Sequence, residues 1–445
     1  MTKERIKSII LVLLIISNLV LAEKILVNKK LWLFGYNFFN IGNMQKKNDY
    51  SIAGQLSVPE KIFINTGYQS GRYEYLRTSE NFSEIYAATS EVLKKAFALP
   101  SKFVSIIPSE NWYSALTSKS IYLYYPSSYS AQIFSELLGV MQTELSFKDF
   151  SDIVISENGN VYICDENAES FYKIDLSDAT IAPIIERIAT ERENEESVIN
   201  YSFDLNFDKD MGEQKTILSH MIPIYSDELY ASKIISKNPI FRDNTVNNKI
   251  VSNILTAFSI NPNTVRRYTE ADGSLVFVEN TGILKISTSG ILTYTATGNG
   301  IRIANQNEST VSGVAQFIDK VNVSFGADID MCITSPLNNR GVSEFNFDYL
   351  LGGLPIKYDN LNAISIKTSN NYLTEYNQVL RLYQQTGELS ITPPYIEALD
   401  AVITKYQDAM PEIVITKMKP AYLDDLTIEE MIPNWYIAID NIIAE

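Results

Sequence analysis

The stretch RRYTEADGSLVFVENTGILKISTSGILTYT, from Arg266 to Thr295, decides the fold class of this 445-residue chain. Three turn dipeptides divide it: Asp272-Gly273, Thr281-Gly282 and Ser289-Gly290. The runs between them have the length of short strands and are rich in Val, Ile, Leu and Phe. Since such turns connect neighbouring strands of opposite direction, the stretch predicts a meander of antiparallel strands.

Helices are predicted on both sides of this meander. One covers Lys249 to Phe258 and ends before Pro262, and another covers Thr310 to Val321 with apolar residues on one face. A third begins at Thr392-Pro393-Pro394, because proline is favoured in the first turn of a helix. Helices followed by antiparallel strands therefore recur, which predicts an α+β fold with helices packed on one face of each sheet.

The first half of the soluble part alternates strand and helix patterns. Ser83 and Asp178 are predicted to cap two helices, and Asn158-Gly159 is predicted to be a hairpin turn. YSFDLNFDKD, from Tyr201, alternates apolar and polar residues and is predicted to be a strand. Seven further segments are predicted to be strands: LSVPEKIFIN, RYEYL, KFVSIIP, SIYLYYP, DIVIS, VYICDE and SFYKIDL.

The last third of the chain is predicted to be mainly antiparallel. Its predicted strands are VNVSFGADIDMCI, FNFDYLL, AISIKT, YNQVLRLY, EIVITKM and WYIAID. The charge run ERENEES, from Glu191 to Ser197, marks a boundary between domains. We predict a cytoplasmic tail and anchor in residues 1–30, an α/β-type domain over 46–200, and α+β domains over 201–302 and 303–445.

The N-terminus carries an apolar run from Ile9 to Ala22, interrupted only by Ser17 and Asn18. As a helix this run spans about 21 Å, less than the hydrocarbon layer of roughly 30 Å. The length fits the core of a cleaved signal peptide, with the small residue Ala22 at the cleavage site. One alternative is therefore a free secreted protein.

The residues that follow favour a retained transmembrane anchor instead. A helix extended to Val27 spans about 28 Å, and the long side chains of Glu23 and Lys24 can reach the headgroups. Lys7 and Lys24, together with the aromatic Trp32 and Tyr36, are the predicted interfacial anchors. The short cationic tail before the run places the bulk of the chain outside the cytoplasm, in a single-pass membrane protein.

The composition excludes some functions and predicts no catalytic centre. A net charge of −16 disfavours nucleic acid as a partner. Cys164 and Cys332 lack metal-binding spacing and are predicted to be buried free thiols, with a long-range disulfide as the alternative. His220 lies among apolar residues, so we predict a structural role for it, and no metal or cofactor is predicted.

Two features leave carbohydrate chemistry open. Acid pairs occur at Asp424-Asp425 and Glu429-Glu430, and a pair of carboxylates is all that glycoside hydrolysis requires. We interpret these acids as solvated charge near a turn. The aromatics from Tyr122 to Tyr129 are able to stack on sugars, although packing within a sheet explains them more simply.

Three segments of the chain resemble YycH proteins, extracytoplasmic regulators of Gram-positive bacteria. They are KERIKSIILVLLIISNLVL, IIPSENWYSALTSKSIYLYYPSS and GSLVFVENTGILKISTSGILTYT. The resemblance implies one N-terminal membrane anchor, a three-domain α+β body outside the cytoplasm and no catalytic residues. It also implies that the protein, with a YycI-like partner, modulates a sensor histidine kinase of the WalK (YycG) type that governs cell-wall metabolism. The candidate contacts in the anchor are Ser17 and Asn18, whose polar side chains can bond between helices.

Overall fold

The computed structural model describes residues 56–440 except for 68–70, 141–144, 166–169, 177–178, 194–198, 206–209, 212–213, 219–220, 226–227, 243–244, 306–308, 340–341 and 407–411. This part of the chain is an α+β structure whose strand pairs are mostly antiparallel, which confirms the predicted fold class. Within it, no helix has the length and apolar character needed to cross a bilayer. The predicted anchor, residues 1–30, lies outside the described residues.

The first sheet contains seven strands in the order β2-β1-β4-β5-β6-β7-β3, and every pair in it is antiparallel. Its strands are β1 (Lys61–Asn65), β2 (Arg72–Leu76), β3 (Val104–Ile107), β4 (Ser120–Ser130), β5 (Asp149–Ser156), β6 (Val161–Asp165) and β7 (Ser170–Ile174). The accompanying helices are α1 (Phe82–Phe97), α2 (Ser109–Thr117), α3 (Ala131–Leu137) and α4 (Ala182–Glu191). All the strands predicted for this region are confirmed, as is the hairpin turn at Asn158-Gly159 between β5 and β6.

The second sheet is larger. Its main path runs β15-β16-β17-β18-β24-β23-β21-β22-β26-β10-β9, and β19, β20 and β28 pair beside this path. The strands are β9 (Asp210–Met211), β10 (Gln214–Leu218), β15 (Arg266–Thr269), β16 (Leu275–Glu279), β17 (Gly282–Ile286), β18 (Ile291–Ala296), β19 (Ile301–Arg302), β20 (Asp330–Asn339), β21 (Val342–Leu351), β22 (Leu354–Tyr358), β23 (Ile364–Ser369), β24 (Tyr372–Val379), β26 (Glu412–Asp424) and β28 (Pro433–Asp440). The predicted meander is confirmed as β15 to β18. Strand β26 pairs in parallel with β10 and β22, although antiparallel sheets were predicted.

Smaller elements complete the described structure. Three short sheets are formed by β8 (Ile199–Tyr201) with β11 (Pro223–Tyr225), by β12 (Tyr230–Lys237) with β25 (Leu382–Ile391) and β27 (Glu430–Met431), and by β13 (Phe241–Arg242) with β14 (Thr245–Val246). The remaining helices are α5 (Asn248–Ala257), α6 (Thr310–Phe325) and α7 (Tyr395–Tyr406), and 3-10 turns cover Ser101–Phe103 and Ser202–Leu205. The three predicted helices of this region are therefore confirmed.

Aromatic side chains fix helices α5 and α6 on one face of the second sheet. The ring of Phe258, at the end of α5, lies 5.3 Å from Tyr294 of β18 and 5.1 Å from Phe317 of α6. Phe317 in turn contacts Tyr376 of β24, with ring centroids 5.5 Å apart. Both tyrosines are buried, so the inward face of the sheet is closed by these rings.

The predicted strand over YSFDLNFDKD is wrong for Ser202–Leu205, which form a 3-10 turn after Tyr201, the last residue of β8. Residues 206–209 lie outside the described part of the chain, and Asp210 begins β9. The Asp204 carboxylate accepts a hydrogen bond from the backbone N–H of Tyr201 at 3.0 Å, and it also pairs with Arg72 of β2. An aspartate that bonds its own backbone favours a turn over a strand, and this outweighs the alternating pattern.

Three other local predictions are also corrected. Helix α1 begins at Phe82 after Asn81, so Ser83 lies inside the helix and does not cap it. Helix α6 continues through VNVSF and ends at Gly326, so the strand predicted from Val321 begins only at Asp330. The single strand predicted for YNQVLRLY divides into β24 and β25. Asp178, the other predicted cap, lies outside the described residues.

The second sheet crosses one of the predicted domain boundaries. Strand β18 lies in the predicted middle domain, and it pairs with β24 of the predicted C-terminal domain, with Tyr294 opposite Tyr376. The two regions therefore share one hydrogen-bonded sheet. The division of the chain into domains over 46–200, 201–302 and 303–445 remains a prediction.

Candidate functional site at the junction of the two sheets

The first described residues, Leu56 to Glu60, are buried where the two large sheets meet, and we call them the leading segment. Their backbone carbonyls accept hydrogen bonds from buried side chains. The Tyr129 hydroxyl donates to Leu56 at 3.1 Å, and the Tyr86 and Tyr125 hydroxyls donate to Ser57 at 2.9 and 3.1 Å. Because a buried carbonyl without a partner is costly, these bonds hold the leading segment in one position.

Arg77 connects the leading segment to the second sheet. Its guanidinium donates to the carbonyl of Pro59 at 2.9 Å and to the carbonyl of Met331, in β20, at 2.8 Å. It also forms an ion pair of 3.1 Å with Asp330. One buried side chain therefore contacts both sheets, in the fork geometry that suits arginine.

Glu60 and Lys419 form a deeply buried ion pair of the junction. Their side chains are 0% and 4% exposed, and the Nζ–Oε2 distance is 2.5 Å. Burial raises the pKa of the Glu60 carboxyl, but the attraction of Lys419 and Lys61 outweighs burial and holds that pKa below its ordinary value. Burial lowers the pKa of Lys419, but the attraction of Glu60 and other neighbouring groups outweighs burial. The pKa of Lys419 therefore lies above its ordinary value. Both groups are therefore charged at neutral pH.

A second buried pair attaches β11 to the first sheet. Lys61 of β1 lies 2.8 Å from Glu74 of β2, and the Tyr225 hydroxyl donates to the same carboxylate at 2.6 Å. The ammonium of Lys61 also donates to that hydroxyl at 3.1 Å. Burial, and then the neighbouring carboxylate, raise the pKa of Tyr225, so it remains a neutral donor.

A fourth pair completes a balanced set of four acidic and four basic side chains, of which Asp330 and Lys357 are partly buried and the others are buried. Lys357 of β22 pairs with Asp348 of β21, and its charge also lowers the pKa of Glu60. We call the whole set the ionic junction, and its members are Glu60, Lys61, Glu74, Arg77, Asp330, Asp348, Lys357 and Lys419. Glu60–Lys419 and Arg77–Asp330 join the two sheets, whereas Lys61–Glu74 and Lys357–Asp348 each lie within one sheet. Buried pairs add little net stability but are costly to break.

The cysteines of this region do not provide a nucleophile. Cys164 and Cys332 are buried free thiols, which confirms that prediction. Burial, and then the carboxylates of Glu60 and Asp348, raise the pKa of Cys332 far above its ordinary value. Cys332 therefore remains a protonated thiol at neutral pH.

The candidate residues for carbohydrate chemistry are arranged for packing. Tyr122, Tyr125 and Tyr129 are buried in the first sheet and its helices, so they are not free to stack on a sugar. Asp424 is not solvated charge as predicted: it is 2% exposed and accepts from the Tyr383 hydroxyl at 2.7 Å beside Arg381. Asp425 is exposed and accepts a hydrogen bond from the backbone N–H of Thr427, so it stabilises the turn.

Two adjoining grooves lie near the N-terminus of α6, with volumes of about 400 and 270 Å³. Both are lined by Thr310 and Ser343, and Glu136 is the one carboxylate among the described residues that line them. No cluster of His, Cys, Asp and Glu suited to a metal ion occurs in the part of the chain that the structure describes. Ser17, Asn18, Lys7, Lys24, Trp32, Tyr36 and His220 lie outside that part.

The ionic junction was not predicted, although the sequence of β1 carries a signal for it. All five residues of KIFIN are buried, because β1 lies between β2 and β4. A lysine within a run that reads as a fully buried strand needs a partner of opposite charge. Glu60 and Lys61 could thus have been recognised as buried charges, but their partners could not be identified without the fold.

No family model and no curated protein matches the sequence. Among solved structures, the chain is similar to the crystal structure of YycH from Bacillus subtilis, with 12% identity and a TM-score of 0.61. The match covers 89% of this chain and 97% of that one. A likeness of this extent at so low an identity is evidence of a shared fold. The chain therefore has the YycH fold.

Proposed function

We propose that the chain is a non-enzymatic, membrane-anchored regulator of a two-component sensor histidine kinase of the WalK (YycG) type, which controls cell-wall metabolism. A YycI-like protein is the further partner. The observation that carries this proposal is the YycH fold over 89% of the chain, combined with the apolar run from Ile9 to Val27. The fold supports the regulatory role, and the apolar run supports a location in the cell membrane with the body outside the cytoplasm.

The leading segment supports a functional role for the predicted link between the membrane anchor and the folded body. Residues 31–55 connect the predicted anchor to Leu56, where the ionic junction begins. Fully extended, this connection reaches at most about 85 Å, so an anchored body works close to the membrane surface. Because the leading segment is buried between the sheets, the attachment point is a fixed part of the body.

Contact with the kinase is the proposed mechanism. A bound regulator shifts the kinase between its two states only by the difference in its binding free energy for those states. A difference of about 1.4 kcal/mol changes the ratio of active to inactive kinase tenfold. Contacts of ordinary size, made in the membrane and by the outer body, are therefore sufficient.

The alternative, a cell-wall-binding or carbohydrate-processing protein, would be favoured by a cleft with paired acids and exposed aromatics. The two described grooves have one carboxylate between them, and the tyrosines of β4 are buried or half-buried. We therefore retain the regulator as the proposed function.

Co-purification tests this proposal. The full-length chain with a C-terminal tag is extracted from bacterial membranes in mild detergent, and bound proteins are identified by mass spectrometry. We expect the sensor kinase and the YycI-like protein to be enriched over a control chain in which residues 9–27 are replaced by an unrelated transmembrane helix of equal length. Recovery of neither protein, or a mature chain that begins at Glu23, would contradict the proposal.

A further inference from the structure

Strand β15 forms an open edge of the second sheet. Among the described strands it pairs with β16 alone, and its four side chains, Arg266 to Thr269, are all exposed. The backbone N–H of Glu270 donates to the carbonyl of Ser274. This bond fixes which residues of β15 direct their backbone N–H and C=O groups toward β16, because these residues alternate along a strand. By that alternation Arg266 and Tyr268 bond to β16, whereas the backbone groups of Arg267 and Thr269 point away from the sheet.

An apolar patch adjoins this edge on the face opposite helices α5 and α6. Tyr268 is 54% exposed and lies beside Val276, while Ile283 is 41% exposed and lies beside Val278. Both valines are half-buried, so the four side chains form one surface that continues to the edge. No helix of the described chain covers it, whereas Leu275 and Phe277 on the other face are buried.

The edge is also locally positive in a chain whose net charge is −16. Arg266 makes no ion pair with any residue that the structure describes, and it lies on the same face as Tyr268. Arg267 lies on the other face, where it donates to the Asn248 side chain at 3.0 Å. A strand added beside β15 would thus meet a free cation, an aromatic ring and unpaired backbone groups together.

We propose that β15 binds an extended segment of a second protein by strand addition, and that this segment carries acidic residues opposite Arg266 and Arg267 and an apolar residue opposite Tyr268. Main-chain hydrogen bonds to Arg267 and Thr269 supply affinity, and the side chains supply specificity. Opposite charges and aromatic pairs facing each other across neighbouring strands each stabilise the pairing. This surface is independent of the membrane anchor and of the kinase proposal.

Two other interpretations of the edge lead to different results. Arginines on an edge strand can protect a sheet against pairing with another copy of itself. In that case Arg266→Val, which removes the charge, should convert the full-length chain into oligomers, and no acidic segment should bind. An anionic membrane surface could also attract two arginines and a tyrosine. In that case vesicles with acidic lipids should bind more weakly to Arg266→Glu, and the peptide should have no effect.

The test uses the full-length chain in detergent micelles and a fluorescein-labelled peptide, Thr-Val-Phe-Glu-Glu-Val-Thr. The peptide should bind saturably by fluorescence anisotropy, and a version with both glutamates replaced by lysine should not bind. Arg266→Glu should weaken binding by roughly tenfold or more, as expected for loss and reversal of a close charge pair. Lys320→Glu is the matched control, because Lys320 is exposed on α6. This variant should bind the peptide as tightly as the unaltered chain does.

Hydrogen exchange locates the binding site without any substitution. In the free chain the amides of Arg267 and Thr269 should exchange rapidly, because they lack an acceptor within the hairpin. Bound peptide should slow these two amides and leave unchanged the amide of Phe258, which directly follows α5 and donates to the carbonyl of Ile254. No saturable binding, equal binding by Arg266→Glu, or protection elsewhere without protection at β15 would overturn the proposal.

Discussion

Glu60 and Lys419 are 359 residues apart in the sequence, yet their side chains form an ion pair from which solvent is excluded. Glu60 directly precedes the first strand of the first sheet, and Lys419 lies in β26 of the second sheet. The pair therefore joins the part of the chain nearest the predicted anchor to the part near its C-terminus. This explains why the leading segment is a fixed part of the body.

Breaking this pair should be costly. Glu60→Gln leaves the Lys419 ammonium buried without its counter-charge, and we expect a loss of about 3–5 kcal/mol in the free energy of unfolding at pH 7. Glu91→Gln is the matched control, because Glu91 pairs with Lys94 on the exposed surface of α1. It should cost less than about 0.5 kcal/mol. Urea unfolding curves followed by tryptophan fluorescence measure both, and equal losses would contradict a structural role for the buried pair.

The contribution of Glu60 should depend on pH in one direction. Its pKa is lowered in the folded chain from an ordinary value of 4.5, so its stabilisation is complete above that value. The stabilisation is lost as pH falls below 4.5 through the folded pKa, because the protonated carboxyl no longer attracts Lys419. The difference in unfolding free energy between the unaltered chain and Glu60→Gln should shrink between about pH 5 and pH 3. A difference that grows in this range would refute the assignment.

The β21–β22 hairpin should tolerate no side chain at Gly353. This residue has φ +82, and an added Cβ would lie 2.7 Å from the Cβ of Leu76 in β2. Gly387 has the same φ of +82 with open space around it, so Gly387→Ala should cost only the backbone strain of about 1–2 kcal/mol. Gly353→Ala should cost a further 1–3 kcal/mol, approximately, for the steric clash between the sheets. Thermal unfolding of the two variants side by side measures this difference.

Polar residues in the anchor should contribute to partner contact. Replacing Ser17 and Asn18 together with leucine removes the side chains that can hydrogen-bond to another helix, at about 0.6–2 kcal/mol per bond. The variant should still reach the membrane, since leucine favours insertion, but it should recover less kinase and YycI-like protein on co-purification. Leu13→Ile, a substitution within the same run that keeps it apolar, is the control. Equal recovery by all three chains would remove these residues from the proposed contact.

The sequence predicted elements whose signals are local. The meander follows from Asp272-Gly273 and the later turns, and helix α6 follows from the apolar residues on one of its faces. These signals depend on neighbouring residues alone, so they keep their meaning in the folded chain. The YycH-like fold was implied by the resemblance of three segments to YycH proteins, and the structural comparison confirms it.

Features that depend on distant residues were not predictable. Asp204 forms a turn partly because it pairs with Arg72. Asp424 is buried because the Tyr383 hydroxyl donates to it and the Arg381 guanidinium lies beside it. None of these partners is close in sequence to its acid. Asp204 was therefore interpreted as part of the polar face of a strand, and Asp424 as solvated charge. The ionic junction was missed for the same reason, since Lys419 and Glu60 meet only after both sheets have formed.

Phosphorylation of the response regulator in living cells tests the central claim most directly. Four strains are compared: cells with the gene, cells without it, and deletion cells that carry either the full-length gene or a version with the replaced helix. The response regulator that the kinase phosphorylates is analysed in each by phosphate-affinity electrophoresis. We predict that deletion changes the phosphorylated fraction, that the full-length chain restores it, and that a chain with residues 9–27 replaced by an unrelated transmembrane helix restores it only in part. A phosphorylated fraction that stays the same in all four strains would contradict the account.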